Sequence, residues 1–588
     1  MAEGAELKPL KNQYPNTNND TKPPAQSPNN TTVKQPIVRK RSFIKTPSFS
    51  EYLERYENGE FDASKKPEII FCGQQSTSKQ LLIIALLFIF FVTSSIGVYT
   101  LWCTDTFEAA ILQNLVLANN TAAYFMWKQP PVKTLLRVRI FNYTNIDAFL
   151  NQTEKKLRVE EVGPYVYDET LERVNVAFNG NGTVSYQEHR SYNFRPDLSK
   201  RARQHDKVIV PNVPLIGAIS MVKDTYFVTR WGLNRLIKEL KAPPFKVLPA
   251  HRFLWGYDDS FISLAKGVMA LKNDFSMDKF GLIALRNGTS RDRITIYTGE
   301  TDLNKLGLID RFNGESHTPF WSTEECNRVD GTDGAHFPLD AIHNLEQIYV
   351  YNKEICRKLP LEYTESVMIN LDNEVEMPAL RYRFPKHVFS SPDIVPENQC
   401  FCHLDSGVCP PEGVFNASPC VYGLPFYPSF PHFYLADPKL IKSIDGLHPD
   451  PEKHATYLDV HPNLAFPLSG SSRIQINLQI RKSREFDSFS KFEDGTLLPV
   501  AWLEVSLGQL PPDLIDIIYH ATFSAATMKT VLRFLTLIVA GITLSLLLTW
   551  LYANYTSKLY RRRLAEQIKC NFNPNQDISN IIQHRPMS

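Results

Sequence analysis

LLIIALLFIFFVTSSIGVYTLW, from Leu81 to Trp102, contains 22 residues without a charged side chain. A second such stretch, FLTLIVAGITLSLLLTWLY, runs for 19 residues from Phe534 to Tyr552. Roughly 20 apolar residues are needed for a helix to cross the hydrocarbon core of a bilayer. A buried helix of a soluble protein is seldom apolar on every face over this length. The two stretches therefore predict two transmembrane helices, at residues 81–102 and 534–552.

Basic residues beside the two stretches predict the orientation of the chain in the membrane. Lys65, Lys66 and Lys79 precede the first stretch, whereas residues 104–123 contain no Lys or Arg. Five basic residues follow the second stretch: Lys558, Arg561, Arg562, Arg563 and Lys569. The tails 1–80 and 553–588 are therefore predicted to be cytosolic, and residues 103–533 to form one exoplasmic domain. Because about eighty polar residues precede the first stretch, it is predicted to be a signal anchor and not a cleaved signal peptide.

The composition narrows the class of protein further. The chain has 64 Lys and Arg against 62 Asp and Glu, a net charge of +2, which argues against a general nucleic-acid binder. With 12% aromatic residues, 40 Pro and 26 Gly, it fits a folded chain with many turns. The N-terminal segment 1–80 is rich in Asn, Pro, Thr, Lys and Ser, and is expected to be largely disordered.

Sequons for N-glycosylation provide an independent test of this topology. Six lie in the predicted exoplasmic domain: Asn119, Asn142, Asn151, Asn181, Asn287 and Asn416. We expect these to be glycosylated. Four others lie in the predicted cytosolic tails, where they should stay unmodified: Asn19, Asn29, Asn30 and Asn554.

Cysteine placement also indicates an oxidising compartment. Six of the nine cysteines lie between residues 326 and 420: Cys326, Cys356, Cys400, Cys402, Cys409 and Cys420. Their spacing lacks the paired C-x2-C knuckles of zinc sites, so three disulfides are favoured over a metal cluster. Six cysteines allow fifteen pairings, which spacing leaves open. Outside this domain, Cys72 and Cys570 lie within reach of the inner leaflet, where either could carry palmitate.

Periodic patterns inside residues 103–533 predict mainly strands. In Val132–Ile140 and Ile474–Ile480 apolar residues alternate with polar ones, so that Gln475 and Asn477 face away from the isoleucines. Shorter alternation occurs over 174–178 and 294–296. Apolar stripes at three- and four-residue steps predict helices over 107–125, over 233–240 within a helical insertion at 195–270, and over 514–521.

The exoplasmic segment contains none of the common catalytic motifs, and we expect no enzyme and no cofactor. The strongest metal candidate is HPDPEKHATYLDVH, with His448, His454, Asp459 and His461. Spacings of six and seven residues, with prolines between them, do not place these side chains on one helical face. A polar loop without a metal is therefore the favoured interpretation.

Seven strings resemble the class B scavenger receptor family, and they occur in the order of that family. They are EEVGPYVYDE (160–169), NFRPDLS (193–199), LWGYDD (254–259), CNRVDGTDGAHFP (326–338), FSSPDIVPENQCFC (389–402), PHFYLADP (431–438) and SIDGLHPDPEKHATYLDVHP (443–462). The resemblance covers both apolar stretches and nearly all of the segment between them. It implies an α+β fold: a large antiparallel β-barrel with an apical helical bundle and a lipid tunnel, anchored by two transmembrane helices. It also implies the disulfides Cys326–Cys400, Cys356–Cys420 and Cys402–Cys409.

The function that the resemblance implies is that of a cell-surface scavenger-type receptor. Such a receptor binds lipids or lipoprotein particles and passes fatty acids, sterols, sterol esters or phospholipids through an internal tunnel to the plasma membrane. The alternative is a phagocytic, adhesion or cargo-sorting receptor for protein ligands that moves no lipid. DISNII, at 577–582, resembles an acidic dileucine sorting signal. An endolysosomal membrane is therefore an alternative location.

Two lysines are candidates for apical ligand binding. In fatty-acid translocase, a member of that family, two neighbouring lysines lie shortly before the WGY string. Aligning on PFKVLPAHRFLWGY places Lys241 on one of them and Glu239 on the other, with Lys238 one helical step away. Lys238 and Lys241 could attract an anionic lipid, or they could solvate one face of a helix.

Overall fold

The computed structural model describes residues 78–200, 202–263, 278–372, 375–402, 407–482 and 485–571. The helices in these ranges are α1 (Ser78–Cys103), α2 (Thr106–Leu112), α3 (Ala122–Lys128), α4 (Ile146–Leu150), α5 (Val213–Val222), α6 (Phe227–Glu239), α7 (Ala250–Trp255), α8 (Glu324–Asn327), α9 (Leu339–His343), α10 (Pro438–Ser443), α11 (Pro451–His454), α12 (Pro512–Tyr519) and α13 (Ala525–Asn571).

The strands of the described residues are β1 (Thr134–Tyr143), β2 (Leu157–Asn179), β3 (Thr183–Phe194), β4 (Lys207–Pro211), β5 (Phe245–Pro249), β6 (Gly288–Thr289), β7 (Ile294–Tyr297), β8 (Ile309–Phe312), β9 (Ile348–Asn352), β10 (Arg357–Asp372), β11 (Val375–Arg383), β12 (Ile444–Asp445), β13 (Tyr457–Val460), β14 (Pro467–Gln479) and β15 (Leu497–Leu507). Short 3-10 turns connect several of them.

Two helices are long and apolar enough to cross a membrane, and they contain the two stretches predicted from the sequence. They span Gln80–Cys103 and Pro512–Gln567, the second formed by α12, a π turn at His520–Ser524 and α13. The two helices contact each other directly. Arg533 Nε donates to the carbonyl of Leu101 at 2.8 Å, and a Cβ on Gly97 would lie only 2.9 Å from Thr536. They fit two transmembrane anchors.

The strands between the anchors form one large, mostly antiparallel sheet. Its order is β8-β7-β3-β2-β1-β15-β14-β13-β11-β10-β9, with β6 added beside β3 and β12 beside β2. The sequence neighbours β4 and β5 form a separate pair next to α5 and α6. Because β1 pairs with both β2 and β15, the last strand before the membrane helix lies in the middle of the sheet.

A short segment after α8 joins the two edges of this sheet and nearly closes the barrel. Ile309 N, at one edge, donates to the carbonyl of Gly331 at 2.9 Å. Thr332 N donates to the carbonyl of Tyr349, in β9 at the other edge, at 3.0 Å. Gly331 has φ 94° and lies against β9, where a Cβ would come within 3.0 Å of the Tyr349 carbonyl oxygen. The DGTDG string therefore forms the seam of the barrel, where a side chain at Gly331 would clash.

A buried ion pair lies beneath this seam. Arg173 Nη2 is 2.8 Å from Asp333 Oδ2, and both side chains are less than a tenth exposed. Tyr186 donates its hydroxyl to the same carboxylate oxygen at 2.8 Å, and Arg173 also donates to the backbone carbonyl of Trp127. Two side chains of the central strands β2 and β3 therefore hold the closing segment.

The predicted alternation of β1 is confirmed. β14 also alternates, but its polar face is buried and does not contact solvent. Leu136, Val138 and Ile140 are fully buried. In β14, Gln475 and Asn477 do face away from the isoleucines, but both are 0% exposed. Segment 425–432 covers this face: the Asn477 side chain donates to the Tyr427 carbonyl at 2.8 Å.

The helical predictions are confirmed for 233–240 and 514–521 by α6 and α12, while the predicted helix over 107–125 is interrupted. Its first part is α2 and a 3-10 turn. The chain then turns through Asn120, whose φ is 65°, and α3 starts anew with Thr121 as its N-cap, accepting from Tyr124 N at 3.2 Å. The insertion 195–270 contains α5, α6 and α7 together with β4 and β5.

We expect Arg173→Met to destabilise the full-length chain strongly. The substitution leaves Asp333 as an unpaired carboxylate in the barrel wall, a loss of about 3–5 kcal/mol for a broken buried pair. Arg158→Met is the control, because Arg158 pairs with Glu154 at the surface, where such pairs contribute about 0–1 kcal/mol. Thermal unfolding of both variants in detergent checks this. Equal melting temperatures for the two variants would contradict the role assigned to the seam.

Candidate functional site

The interior of the barrel contains a cavity of about 880 Å³. One end lies beneath α5 and α6, where Val213, Ala218, Met221 and Leu233 line it. Helix α5 begins with Asn212 as its N-cap, whose side chain accepts from Leu215 N at 3.4 Å. The apolar helix α5 thus covers this end of the cavity.

The walls and the other end of the cavity come from the central strands. Ile474 and Ile476 of β14 face it together with Leu503 and Val505 of β15. It extends as far as Leu507, the last residue of β15, after which the chain enters α12 and the membrane helix. The cavity therefore runs from the α5–α6 helices to the strand end that leads into the membrane.

A cluster of charged side chains lies in one wall of this otherwise mainly apolar cavity. Arg190 Nη2 and Lys353 Nζ lie 3.1 Å and 2.5 Å from Glu188 Oε2, and Arg286 faces Glu354 at 3.8 Å. Burial by itself raises the pKa of Glu188, but Arg190 and Lys353 outweigh it and lower that pKa to about 2. Arg190 also pairs with Glu169 at 2.8 Å. Because the three cations and three carboxylates neutralise one another, the wall suits an uncharged or chain-like ligand.

The structure places Lys238 and Lys241 outside this cavity. Lys238 lies on the exposed face of α6, with its Nζ 3.0 Å from Asp487 Oδ2. Lys241 is exposed just beyond the end of α6, with φ 47°. Glu239 forms an ion pair with Arg235, whose Nε lies 2.8 Å from Glu239 Oε1. Binding of an anionic ligand by the two lysines stays a prediction, and any such ligand would meet them at the outer surface.

Comparison with known proteins agrees with this architecture. The model of the CD36 family matches residues 83–552, which include both membrane helices and the whole barrel. The chain belongs to the CD36 family. The strings quoted above therefore reflect common ancestry with the class B scavenger receptors, and the family assignment made from the sequence is confirmed.

Several curated members of the CD36 family are similar over most of the chain. Scavenger receptor class B member 1 of Bos taurus is 31% identical over 411 residues, 70% of this chain and 77% of the relative. The Rattus norvegicus protein of the same name is 33% identical over 67% of this chain and 75% of its own. Lysosome membrane protein 2 of Mus musculus is 34% identical over 66% and 78%. Membership in a family with scavenger receptors supports a receptor role.

The six clustered cysteines form three disulfides in the structure. They are Cys326–Cys400, Cys356–Cys420 and Cys402–Cys409, the pairs that the family resemblance implies. Together they tie segment 400–420 to α8 and to the start of β10. Of the two cysteines considered for palmitoylation, Cys72 lies outside the described residues. Cys570 lies near the end of α13, where its side chain is not described.

The six sequons between the two anchors differ in their exposure. Four are exposed: Asn119, Asn151, Asn181 and Asn287. Asn142 is half-buried in β1, where its side-chain oxygen accepts from Ile209 N at 2.7 Å. Asn416 is 2% exposed and accepts from Ser418 N at 3.1 Å, so a glycan there would have to displace packed backbone. Glycosylation stays a prediction. The four exposed sites are accessible to it, whereas packing disfavours it at Asn416.

The segment interpreted as a polar loop is exposed in its first half, 448–453, but mainly buried in its second half, 454–461. Asp459, in β13, is 1% exposed and receives two hydrogen bonds from Arg381, at 2.7 and 2.9 Å. The His454 ring stacks on that of His432 at 4.7 Å, while His448 is exposed. In the described part of the chain no group of three or more His, Cys, Asp or Glu side chains could hold a metal ion. The polar residues Asp459 and His454 thus belong to a buried polar network, which the sequence analysis did not predict.

We expect acid to destabilise the protein through two buried histidines. Burial lowers the pKa of His454 and of His461 to about 4. The Nδ1 atoms of His454 and His461 accept hydrogen bonds from the backbone N–H groups of Asp450 and Leu464. Only an unprotonated Nδ1 can accept such a bond, so the structure requires neutral rings. Their stabilising contribution is complete above the unfolded pKa near 6.5 and declines as the pH falls toward 4, by about 2 kcal/mol per histidine at pH 5.

The measurement is the melting temperature of the full-length chain between pH 7.5 and pH 5. His454→Gln should lower stability at neutral pH and reduce the slope against pH. His448→Gln, which changes an exposed histidine of the same segment, should leave the slope unchanged. A slope that is the same in all three proteins would show that His454 does not contribute to it.

Proposed function

We propose that this protein is a membrane-anchored receptor that takes up lipid at its exoplasmic surface and passes it through the barrel to the bilayer. The single observation that carries the proposal is the continuous cavity between the α5–α6 helices and the end of β15. In the proposed topology, residues 1–80 and 553–588 are cytosolic, 81–102 and 534–552 span the membrane, and 103–533 lie outside.

The size and chemistry of the cavity support a lipid ligand. About 880 Å³ lies within the range of roughly 300–1,000 Å³ typical of small-molecule sites. Each CH₂ group that leaves water for an apolar wall contributes about 0.8 kcal/mol. A fatty acid, sterol, sterol ester or phospholipid chain inside the barrel would therefore avoid a large exposure penalty on its way to the membrane.

The names of the relatives support two versions of this receptor. The name of scavenger receptor class B member 1 supports a scavenger-type receptor. The name of lysosome membrane protein 2 supports a lysosomal membrane as the location, where the alternative receptor for protein ligands would act. The sorting signal considered for that location, at 577–582, lies outside the described residues. The cavity favours the lipid version.

We expect Val505→Trp to block lipid passage while leaving ligand capture intact. Val505 lies on β15 at the lower part of the cavity, so an indole there fills the route without changing the outer surface. Uptake of fluorescent fatty acid, cholesteryl ester and phospholipid should fall several-fold in cells with matched surface expression. Binding of labelled lipoprotein particles in the cold should persist.

Met368→Trp is the matched control, because Met368 lies on β10 with 61% of its side chain exposed and lies outside the cavity. Its lipid uptake should equal that of the unmodified chain. Unchanged uptake in Val505→Trp would contradict passage through the barrel. Absence of uptake in the unmodified chain, with particle binding preserved, would favour the receptor for protein ligands.

A further inference from the structure

One buried arginine, Arg357, has no carboxylate partner among the residues that the structure describes. Arg357 is the first residue of β10, directly after the disulfide-bonded Cys356, and it is 7% exposed. Its Nη2 donates to the backbone carbonyl of Val388 at 3.0 Å and to Asn398 Oδ1 at 2.8 Å. Its Nε has no acceptor in the structure. Within the described residues, Arg357 forms no ion pair.

The other strongly buried arginines of the barrel are neutralised. Arg173 faces Asp333 at 2.8 Å, and Arg190 faces both Glu169 at 2.8 Å and Glu188 at 3.1 Å. Ser390 and Ser391, which line the space beside Arg357, bind a carboxylate other than one paired with Arg357. Glu412 accepts from Ser390 Oγ and from the backbone N–H of Ser391. In the described part of the chain, no carboxylate therefore compensates the charge of Arg357.

Aromatic rings surround the Arg357 guanidinium without neutralising it. Its central carbon lies 4.1 Å from the ring centre of Phe401, 5.0 Å from that of Phe415 and 5.8 Å from that of Phe389. Cation–π contacts of this kind attract the cation but leave its charge in place, whereas burying a charge without a counter-ion is strongly unfavourable. Burial accordingly lowers the pKa of Arg357 to about 9. A bound anion would remove this penalty.

A small cavity lies against this arginine. Its volume is about 20 Å³, and its lining includes Arg357, Ser390, Asn398 and Phe401. About 10–15 Å³ is enough for one water-sized particle, so the space accepts a single monatomic ion. Cys402, closed by its disulfide to Cys409, forms another part of the wall.

We propose that this cavity binds a chloride-sized monovalent anion beside the Arg357 guanidinium. The anion neutralises the buried charge and occupies space between the aromatic rings and the disulfide-bonded segment. Since Arg357 starts β10 and Asn398 belongs to the segment joined by Cys400 to α8, the bound ion stabilises the packing of segment 389–402 on the barrel.

The test is the melting temperature of the full-length chain in detergent, with sodium chloride or sodium bromide replaced by sodium gluconate at constant ionic strength. Occupancy of one site predicts a rise in the melting temperature that grows with the logarithm of one plus the ratio of halide concentration to Kd and is absent in gluconate. Arg357→Met should abolish the halide dependence. Arg383→Met is the matched control and should retain it, because Arg383 is partly exposed and faces Glu365 at 3.4 Å.

A second measurement keeps the proposal testable if Arg357→Met does not fold. Crystals of the unmodified chain soaked in bromide should show an anomalous peak in the cavity beside Arg357. Equal melting temperatures in halide and gluconate, or a strictly linear effect shared by all variants, would mean that water fills the cavity and would overturn the proposal. A bromide peak only at the outer surface would do the same.

Discussion

Closure of the barrel is the constraint on which the rest of the structure depends. A sheet of this size with two free edges would expose unpaired N–H and C=O groups and an apolar inner face to water. The segment around Gly331 satisfies both edges with backbone hydrogen bonds, and the Arg173–Asp333 pair fixes it from inside. A nearly closed sheet can enclose a cavity, whereas an open sheet would have to cover its apolar face with other packed elements.

The position of β15 connects this architecture to the membrane. Its central place in the sheet, between β1 and β14, means that the strand entering the second anchor also forms the wall of the cavity. Contacts between the two membrane helices, such as Arg533 with the Leu101 carbonyl, hold the anchors beside each other below the barrel. Lipid leaving the lower end of the cavity would reach the bilayer with little exposure to water.

Patterns with one dominant physical cause were predictable from the sequence. The two anchors follow from length and the absence of charge, β1 from its alternation, and α6 from its apolar stripe. β14 shows the limit of such predictions. A period of two assigns its residues to two faces, but it does not predict which segment covers each face. Gln475 and Asn477 are buried under a segment some fifty residues earlier in the chain, which only the tertiary structure reveals.

Site residues were less predictable than the fold, for related reasons. Family strings led to the disulfide pairs. Lys241, aligned with a lysine of a relative, and Lys238, one helical step away, lie outside the cavity. The residues that line it, such as Ile474 and Val505, look like ordinary core residues in the sequence. Arg357 likewise resembles any surface arginine until burial shows that its charge is unpaired.

Photo-crosslinking inside the barrel tests the central claim most directly. A fatty acid with a diazirine near the end of its chain is added to the purified full-length chain, irradiated, and the labelled peptides are identified by mass spectrometry. The account predicts labels on the cavity faces of β14 and β15, at Ile474, Ile476, Leu503 or Val505. Labels confined to the exposed faces of α6 and the membrane helices would contradict a lipid route through the barrel.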